Sequence, residues 1–251
     1  MIVTAQGVVL IDPGATYKGA RMIHDAVRAI TDQPIKLVIN TGGQDHRWLG
    51  NDYFKKLGAR VIANENAVTD QRARLSDELA RLGGLVGKDA MEGTQPAYAD
   101  ETFAETKVIE LGGKRIEIHH SGHAHTPGDS FVWLPEQKIV FSGDIVYVER
   151  MLNVGPQSAH RRWISAFEAM AAKAPEIVVP GHGRPTTLAQ AKADTYDYLV
   201  FLRAAVQQFI EDGNGMEAIG RIDQSRFAYL ANYDELKGRN AQRVYAELEW
   251  E

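Results

Sequence analysis

The stretch Ile35-Lys36-Leu37-Val38-Ile39-Asn40-Thr41-Gly42-Gly43-Gln44-Asp45-His46 decides the fold class. A β-rich apolar run ends in a glycine pair and is followed at once by a carboxylate and an imidazole. Upstream, Val8-Val9-Leu10-Ile11 is a second apolar run, closed by the turn residues Asp12-Pro13-Gly14. Between the two runs, Ala20, Ile23, Ala26, Val27 and Ile30 recur at helical spacing. The pattern is a β-α-β unit. Downstream, Tyr53 to Leu57 reads as a short helix and Arg60 to Ala63 as another strand. In α/β proteins, loops at strand ends are where chemistry is placed.

Residues 65–82 read as a charged helix, and 83–104, with Gly83, Gly84, Gly87, Gly93 and Pro96, as a flexible connection. Short β-runs follow at Thr106–Leu111, Arg115–His120, Ser130–Leu134 and Lys138–Phe141, with turn residues between them that suit antiparallel pairing. A helix at 159–173, a strand at Glu176–Val179 and the turn Pro180-Gly181-His182-Gly183 form another α/β passage. Leu188 to Glu211 and Asn240 to Leu248 are apolar at helical spacing.

With 251 residues, 44% apolar and 24% charged, the chain can bury a core without disulfides or a structural metal. It has no cysteine, which removes thiol nucleophiles, iron–sulfur clusters and thiolate zinc sites, so metal ligands must be His, Asp or Glu. Net charge is −5 and no basic stripe stands out, which disfavours nucleic acid as a partner. No apolar run reaches the ~18 residues of a membrane span. The start, Met1 to Ile11, reads as a strand and not as an export signal. The chain as it stands is expected in the cytoplasm, or in the periplasm if it is a piece lacking its beginning.

Six of the eight histidines fall at three places, each after an expected strand: His46, then His119, His120, His123 and His125, then His182. Asp45 adjoins His46, and Asp144 follows a strand in Phe141-Ser142-Gly143-Asp144. Singly, each is compatible with a turn, a helix cap or an ordinary surface pair. As an ordered set of imidazoles and carboxylates at strand ends, they are what a thiolate-free zinc site needs.

That set resembles the metallo-β-lactamase-fold superfamily of zinc hydrolases. The stretches that carry the resemblance are Gly7–Gly14, Val38-Ile39-Asn40-Thr41, Gly50-Asn51, His125-Thr126-Pro127-Gly128-Asp129, Phe141–Asp144 and Val179–Gly183, in the superfamily's order. The resemblance implies an α/β fold, a four-layer αββα sandwich with the metal site at the edge between two sheets. It implies a metallo-β-lactamase-like domain over 1–185, its first sheet shortened at the N-terminus, and a helical extension, 186–251, packed on the same domain. The string Gly42–Asn51 and the ending Gly238–Glu249 look like the branch labelled quinoprotein-relay or sulfur-oxidation-associated metallohydrolases.

The departures bear on the metal count. Where the family has His-x-His-x-Asp-His, this chain has Gly42-Gly43-Gln44-Asp45-His46-Arg47, without two of the usual histidines. By carry-over the first metal site keeps only His125 and Asp144, with His120 and His123 near enough in sequence to substitute. The second keeps Asp45, His46, Asp144 and His182. Two registers stay open: with a one-residue gap Asp45 and His46 take the family's Asp-His, and without it His46 takes the Asp and Arg47 the last His.

The resemblance then implies a zinc-dependent hydrolase acting through an activated water on a small ester, thioester, lactone or β-lactam. One zinc per chain is favoured over two. Asp45, when not a ligand, serves as water-orienting base, and His125 contacts substrate. Gln44 and His123 stand behind these, and Trp48, Trp163, Tyr196, Tyr198 and Phe201 are candidates for a substrate mouth, the last two also reading as core. The alternative is a degenerate member that binds metal or ligand without hydrolysis. Expected partners are a small-molecule substrate, with no nucleic acid and no membrane; self-association stays open.

Overall fold

The β-α-β pattern builds the first sheet. In a computed structural model describing residues 1–251, β1 (Ile2–Thr4) and β2 (Gly7–Ile11) form a hairpin with Ile2 opposite Val9. Helix α1 (Tyr17–Arg28) then crosses to β3 (Ile35–Asn40), parallel to β2. Thr16 starts α1 by accepting a hydrogen bond from the Gly19 N–H, and the helix buries Ala20 and Val27. After β3 come the one-turn helix α2 (Asp45–Trp48), α3 (Asn51–Lys56) and β4 (Arg60–Asn64), which pairs in parallel with Val61 beside Val38. Strand β3 is buried at five of its six positions, as a central parallel strand covered on both faces should be.

The long helix α4 (Glu65–Val86) follows, capped by the Asn64 side chain. The expected flexible connection at 83–104 is instead ordered: α4 runs on through Gly83 and Gly84, α5 (Lys88–Met91) adds a turn, and β5 (Glu101–Phe103) closes the sheet's edge. Aromatic packing is the reason. The buried Trp48 stacks on Tyr98 at 5.2 Å, and Arg72 lies over the other ring at 3.9 Å from its centroid. Leu75, Leu79, Leu82 and Met91 complete that cluster, which outweighs the conformational cost of the glycines.

The strands make two five-stranded sheets, in the orders β1-β2-β3-β4-β5 and β10-β9-β8-β7-β6. In the second, β6 (Thr106–Leu111) and β7 (Lys114–His119) form a hairpin through Gly112-Gly113, both at positive φ, and β8 (Phe131–Leu134) pairs antiparallel to β7. Strands β9 (Ile139–Phe141) and β10 (Ile177–Val179) are parallel, joined by a crossover containing α6 (His160–Ala171).

Contacts divide the chain into two compact units, 1–120 with 128–136 and 121–127 with 137–251. Residues 186–251 thus share a unit with β9, α6 and β10. In that unit α7 (Leu188–Ala191) leads through a single π-helical turn, Lys192–Tyr196, into α8 (Asp197–Glu211), and α9 (Tyr233–Leu248) follows. The π turn points two buried polar side chains at one loop. Thr195 bonds both the N–H and the carbonyl of Tyr147, and Asp194 accepts from the Glu149 N–H at 2.9 Å. No helix is long and apolar enough to cross a membrane.

Candidate metal centre

The first unit presents Asp45 and His46 just beyond β3. Asp12, at φ +56, accepts from the Thr41 N–H and hydroxyl, both at 2.8 Å, which fixes where the strand ends. It also pairs with Arg47 at 2.9 Å. Asn40 holds the next turn through the Arg47 carbonyl and Asn51, at 2.8 and 2.9 Å. These bonds start α2 at Asp45, with Gln44 as its N-cap residue.

Asp45 is 2% exposed and both carboxylate oxygens are engaged. Oδ1 accepts from the His46 backbone N–H at 2.6 Å and lies 3.1 Å from His46 Nδ1. Oδ2 meets the Arg81 guanidinium. Burial pushes the Asp45 carboxyl up, but the hydrogen bonds from His46 and the Arg81 charge outweigh it and hold it below the usual carboxylate range. Arg81 belongs to a charged ladder on α4: Arg74 pairs with both Asp70 and Glu78, and Glu78 accepts from the Asp45 N–H at 3.0 Å while meeting Arg81 at 3.3 Å. Asp70 occupies the space beside Gly43, so a Cβ at that position would collide with its carboxylate.

The second unit brings Asp144 and His182 together. Gly143, at φ +51, opens a 3-10 turn that carries Asp144 off the end of β9. His182 follows β10, and its Nε2 lies 3.2 Å from Asp144 Oδ1. Bonds from Val148 N–H to the His182 carbonyl and from Gly181 N–H to Val146, both 3.0 Å, fix the turn. Its glycines are needed: a Cβ at Gly181 would lie 2.6 Å from Asp144 Oδ1, and Gly183 sits at φ +97 against Val148. The Tyr147 ring packs on His182 at 4.5 Å.

His125 is buried in the same unit, its ring against Trp163 and Tyr147 and its Nδ1 3.1 Å from the Asn153 carbonyl. Since a carbonyl only accepts, Nδ1 carries the proton and Nε2 is the ring's acceptor. Asn240 of α9 anchors that loop through the Val154 N–H and the Leu152 carbonyl, both at 2.8 Å.

The neighbouring histidines have other partners. His119 pairs with Glu117 at 2.9 Å, His120 Nδ1 bonds the Asp129 carbonyl at 2.7 Å, and His123 bonds the Gln157 carbonyl. The aromatic residues expected at a mouth need correction: Trp48, Trp163 and Tyr198 are fully buried. Tyr198 hydrogen-bonds Gln224 and Asn240, and Phe201 packs on Phe227. Asp12, Arg81, Glu78 and Asn240 were not expected at all. The Asp70, Arg74, Glu78 spacing of four on α4 is the one signal that could have revealed part of this.

The profile of the Metallo-beta-lactamase superfamily matches residues 1–182. This chain belongs to that superfamily. The type 2 metallo-beta-lactamase of Elizabethkingia meningoseptica is 25% identical over 185 residues, 72% of this chain and 66% of that protein. The linear primary-alkylsulfatase of a Pseudomonas species is 22% identical over 219 residues, 74% of this chain and 41% of that protein. The chain thus spans about two thirds of the first relative's length and less than half of the second's. Among solved structures, a metallo-beta-lactamase from Pontibacter korlensis superposes with a TM-score of 0.64 at 23% identity, covering 79% of this chain and 85% of that one. A stereoselective inverting sec-alkylsulfatase from Pseudomonas gives 0.75 at 19% identity, covering 97% of this chain and 46% of that one. The two sheets and their helices are those of the metallo-beta-lactamase sandwich.

Proposed function

We propose that this superfamily member is a metal-dependent hydrolase that uses one zinc ion, held by His46, Asp144 and His182. The observation that carries the reading is the donor set: in the second unit Asp144 and His182 are brought to 3.2 Å, and in the first His46 stands just beyond β3. Two imidazoles and a carboxylate suit zinc, and three protein ligands leave a coordination position for water or substrate. When bound, such an ion polarises an ester-type carbonyl and acidifies water. The chain's own residues do the rest: Asp144 and His182 face each other across 3.2 Å on a glycine-locked turn, and His125 offers its Nε2 as a proton acceptor toward substrate. A single ion is supported by Gly42, which has no side chain, and Gln44, which offers only a neutral amide, at the places of the family's two missing histidines.

The substrate class is a small ester, thioester, lactone or β-lactam. A sulfate ester is a second reading, supported by the alkylsulfatase likeness extending over 97% of the chain against 79% for the β-lactamase. Metal analysis after dialysis should give close to one equivalent, and a panel of these substrates with an alkyl sulfate should show turnover that His182→Ala and Asp144→Ala lose together with the metal. Two equivalents, or full metal and activity in either variant, would overturn the assignment. Bound metal without turnover on any substrate would favour the degenerate, non-hydrolytic alternative.

A further inference from the structure

Asp45 is set up differently from a group waiting for a cation. One oxygen faces the guanidinium of Arg81 and the other takes both N–H groups that His46 can offer from its backbone and Nδ1. Its own backbone N–H is held by Glu78, and Glu78 is held in turn by Arg74 and Arg81. The carboxylate is therefore gripped from α4 and from its neighbour while buried, and to reach an ion it would have to leave a fixed positive charge in a region of weak screening.

We propose that Asp45 is a positioning residue, clamped by Arg81, that fixes His46 as its Nδ1–H tautomer and leaves the Nε2 lone pair for metal. The proposal rests on the zinc reading above for its purpose, though not for its geometry. A carboxylate on the far nitrogen of a ligating imidazole sets both tautomer and ring direction and raises the basicity of the ligating nitrogen. Free imidazole side chains ordinarily populate both tautomers, so a single Nδ1–H form reports the partner. Arg81 supplies the countercharge that lets an ionised Asp45 stay buried. The chain would thus use as a support a carboxylate that stands next in sequence to a ligand.

The first test is the tautomer of His46 in metal-free, nitrogen-15-labelled protein, read from long-range proton–nitrogen correlations. The wild type should show Nδ1–H, and Asp45→Ala should lose that preference; Asp45→Leu, which is near in size and has no acceptor, provides a second variant if the alanine variant fails to fold. An Nε2–H form in the wild type, or a tautomer unmoved by either substitution, would overturn the proposal. The second test is zinc competition together with the visible spectrum of cobalt-loaded protein. Asp45→Asn should weaken zinc binding by about 10- to 100-fold while the cobalt band keeps its shape, because the ligand set is unchanged. Arg81→Met should leave the cobalt band unchanged and weaken zinc binding by no more than Asp45→Asn does, since Asp45 loses its clamp but keeps its bond to His46. Tightening of tenfold or more in Arg81→Met with an altered cobalt band would mean that Arg81 withholds a true ligand, and would overturn the proposal. A wild type that binds no zinc would refute the hydrolase reading instead, leaving the tautomer result to be judged separately.

Discussion

His160 should set the acid limit of stability, and His160→Phe should move it. His160 opens α6, is fully buried, and neither ring nitrogen makes a well-formed hydrogen bond. Burial first, and then the Arg203 charge, pull its pKa from 6.5 to about 4, against smaller opposing contributions from the Leu199 backbone and Glu251. The charged groups around it are Arg203 on α8, Glu247 on α9, which accepts the His160 backbone N–H, and Arg161 with Glu251. Because the folded-state pKa is the lower one, the unfolded chain binds the proton first. The stability is complete above pH 6.5, erodes as pH falls from 6.5 toward 4, and then levels off. The gap between 6.5 and about 4 corresponds to about 3 kcal/mol, or roughly 6–12 °C in melting temperature for a chain of this size. A phenylalanine ring fills the same space and cannot take the proton. Melting curves of both proteins from pH 7.5 to 4 should diverge by that amount, with the variant the flatter. Equal slopes through that window would refute the reasoning.

Gly181→Ala should cost about 2–4 kcal/mol and reduce metal retention, because its Cβ must push against Asp144 and the Gly143 carbonyl; calorimetry and metal analysis check both. Gly43→His should not create a second metal site, since Asp70, pinned by Arg74, holds that space. A second equivalent of zinc surviving dialysis in that variant would show the opposite. Asn240→Ala strands the buried Val154 N–H and Leu152 carbonyl and removes one of the two bonds of the Tyr198 hydroxyl, so chemical denaturation should show a loss of about 2–4 kcal/mol.

The elements were legible where period and punctuation agree. Val8–Ile11, the helix after it and Ile35–Ile39 read directly, because a buried parallel strand is an uninterrupted apolar run. The region 83–104 misled because its glycines argue for freedom while the restraint comes from Trp48 and Tyr98, far apart in sequence. The last helix begins at Tyr233 and not Asn240, its first turns being too polar to show an apolar period. Histidines and carboxylates at strand ends were visible in the sequence, but what each one faces was not. That Asp45 meets Arg81, thirty-six residues later, depends on how α4 lies on the loop after β3. The buried state of Trp163 and Tyr198 likewise follows from tertiary packing and not from their spacing.

The π turn at Lys192–Tyr196 has a bearing on how this protein tolerates changes of length. A π turn carries one residue more than the α-helical turn it replaces. Deleting a residue from it would restore regular winding and leave the helix beyond in register, but would turn the side chains within the turn itself by about 100°. Tyr198, Leu202 and Val206 would then keep their places in the core, while Asp194 and Thr195 would be turned away from the Tyr147–Glu149 loop. The loop at stake carries the ring that packs on His182. Single-residue deletions should therefore be accepted at the exposed pair 212–213 and rejected at 192–196, although both lie in the helical third of the chain.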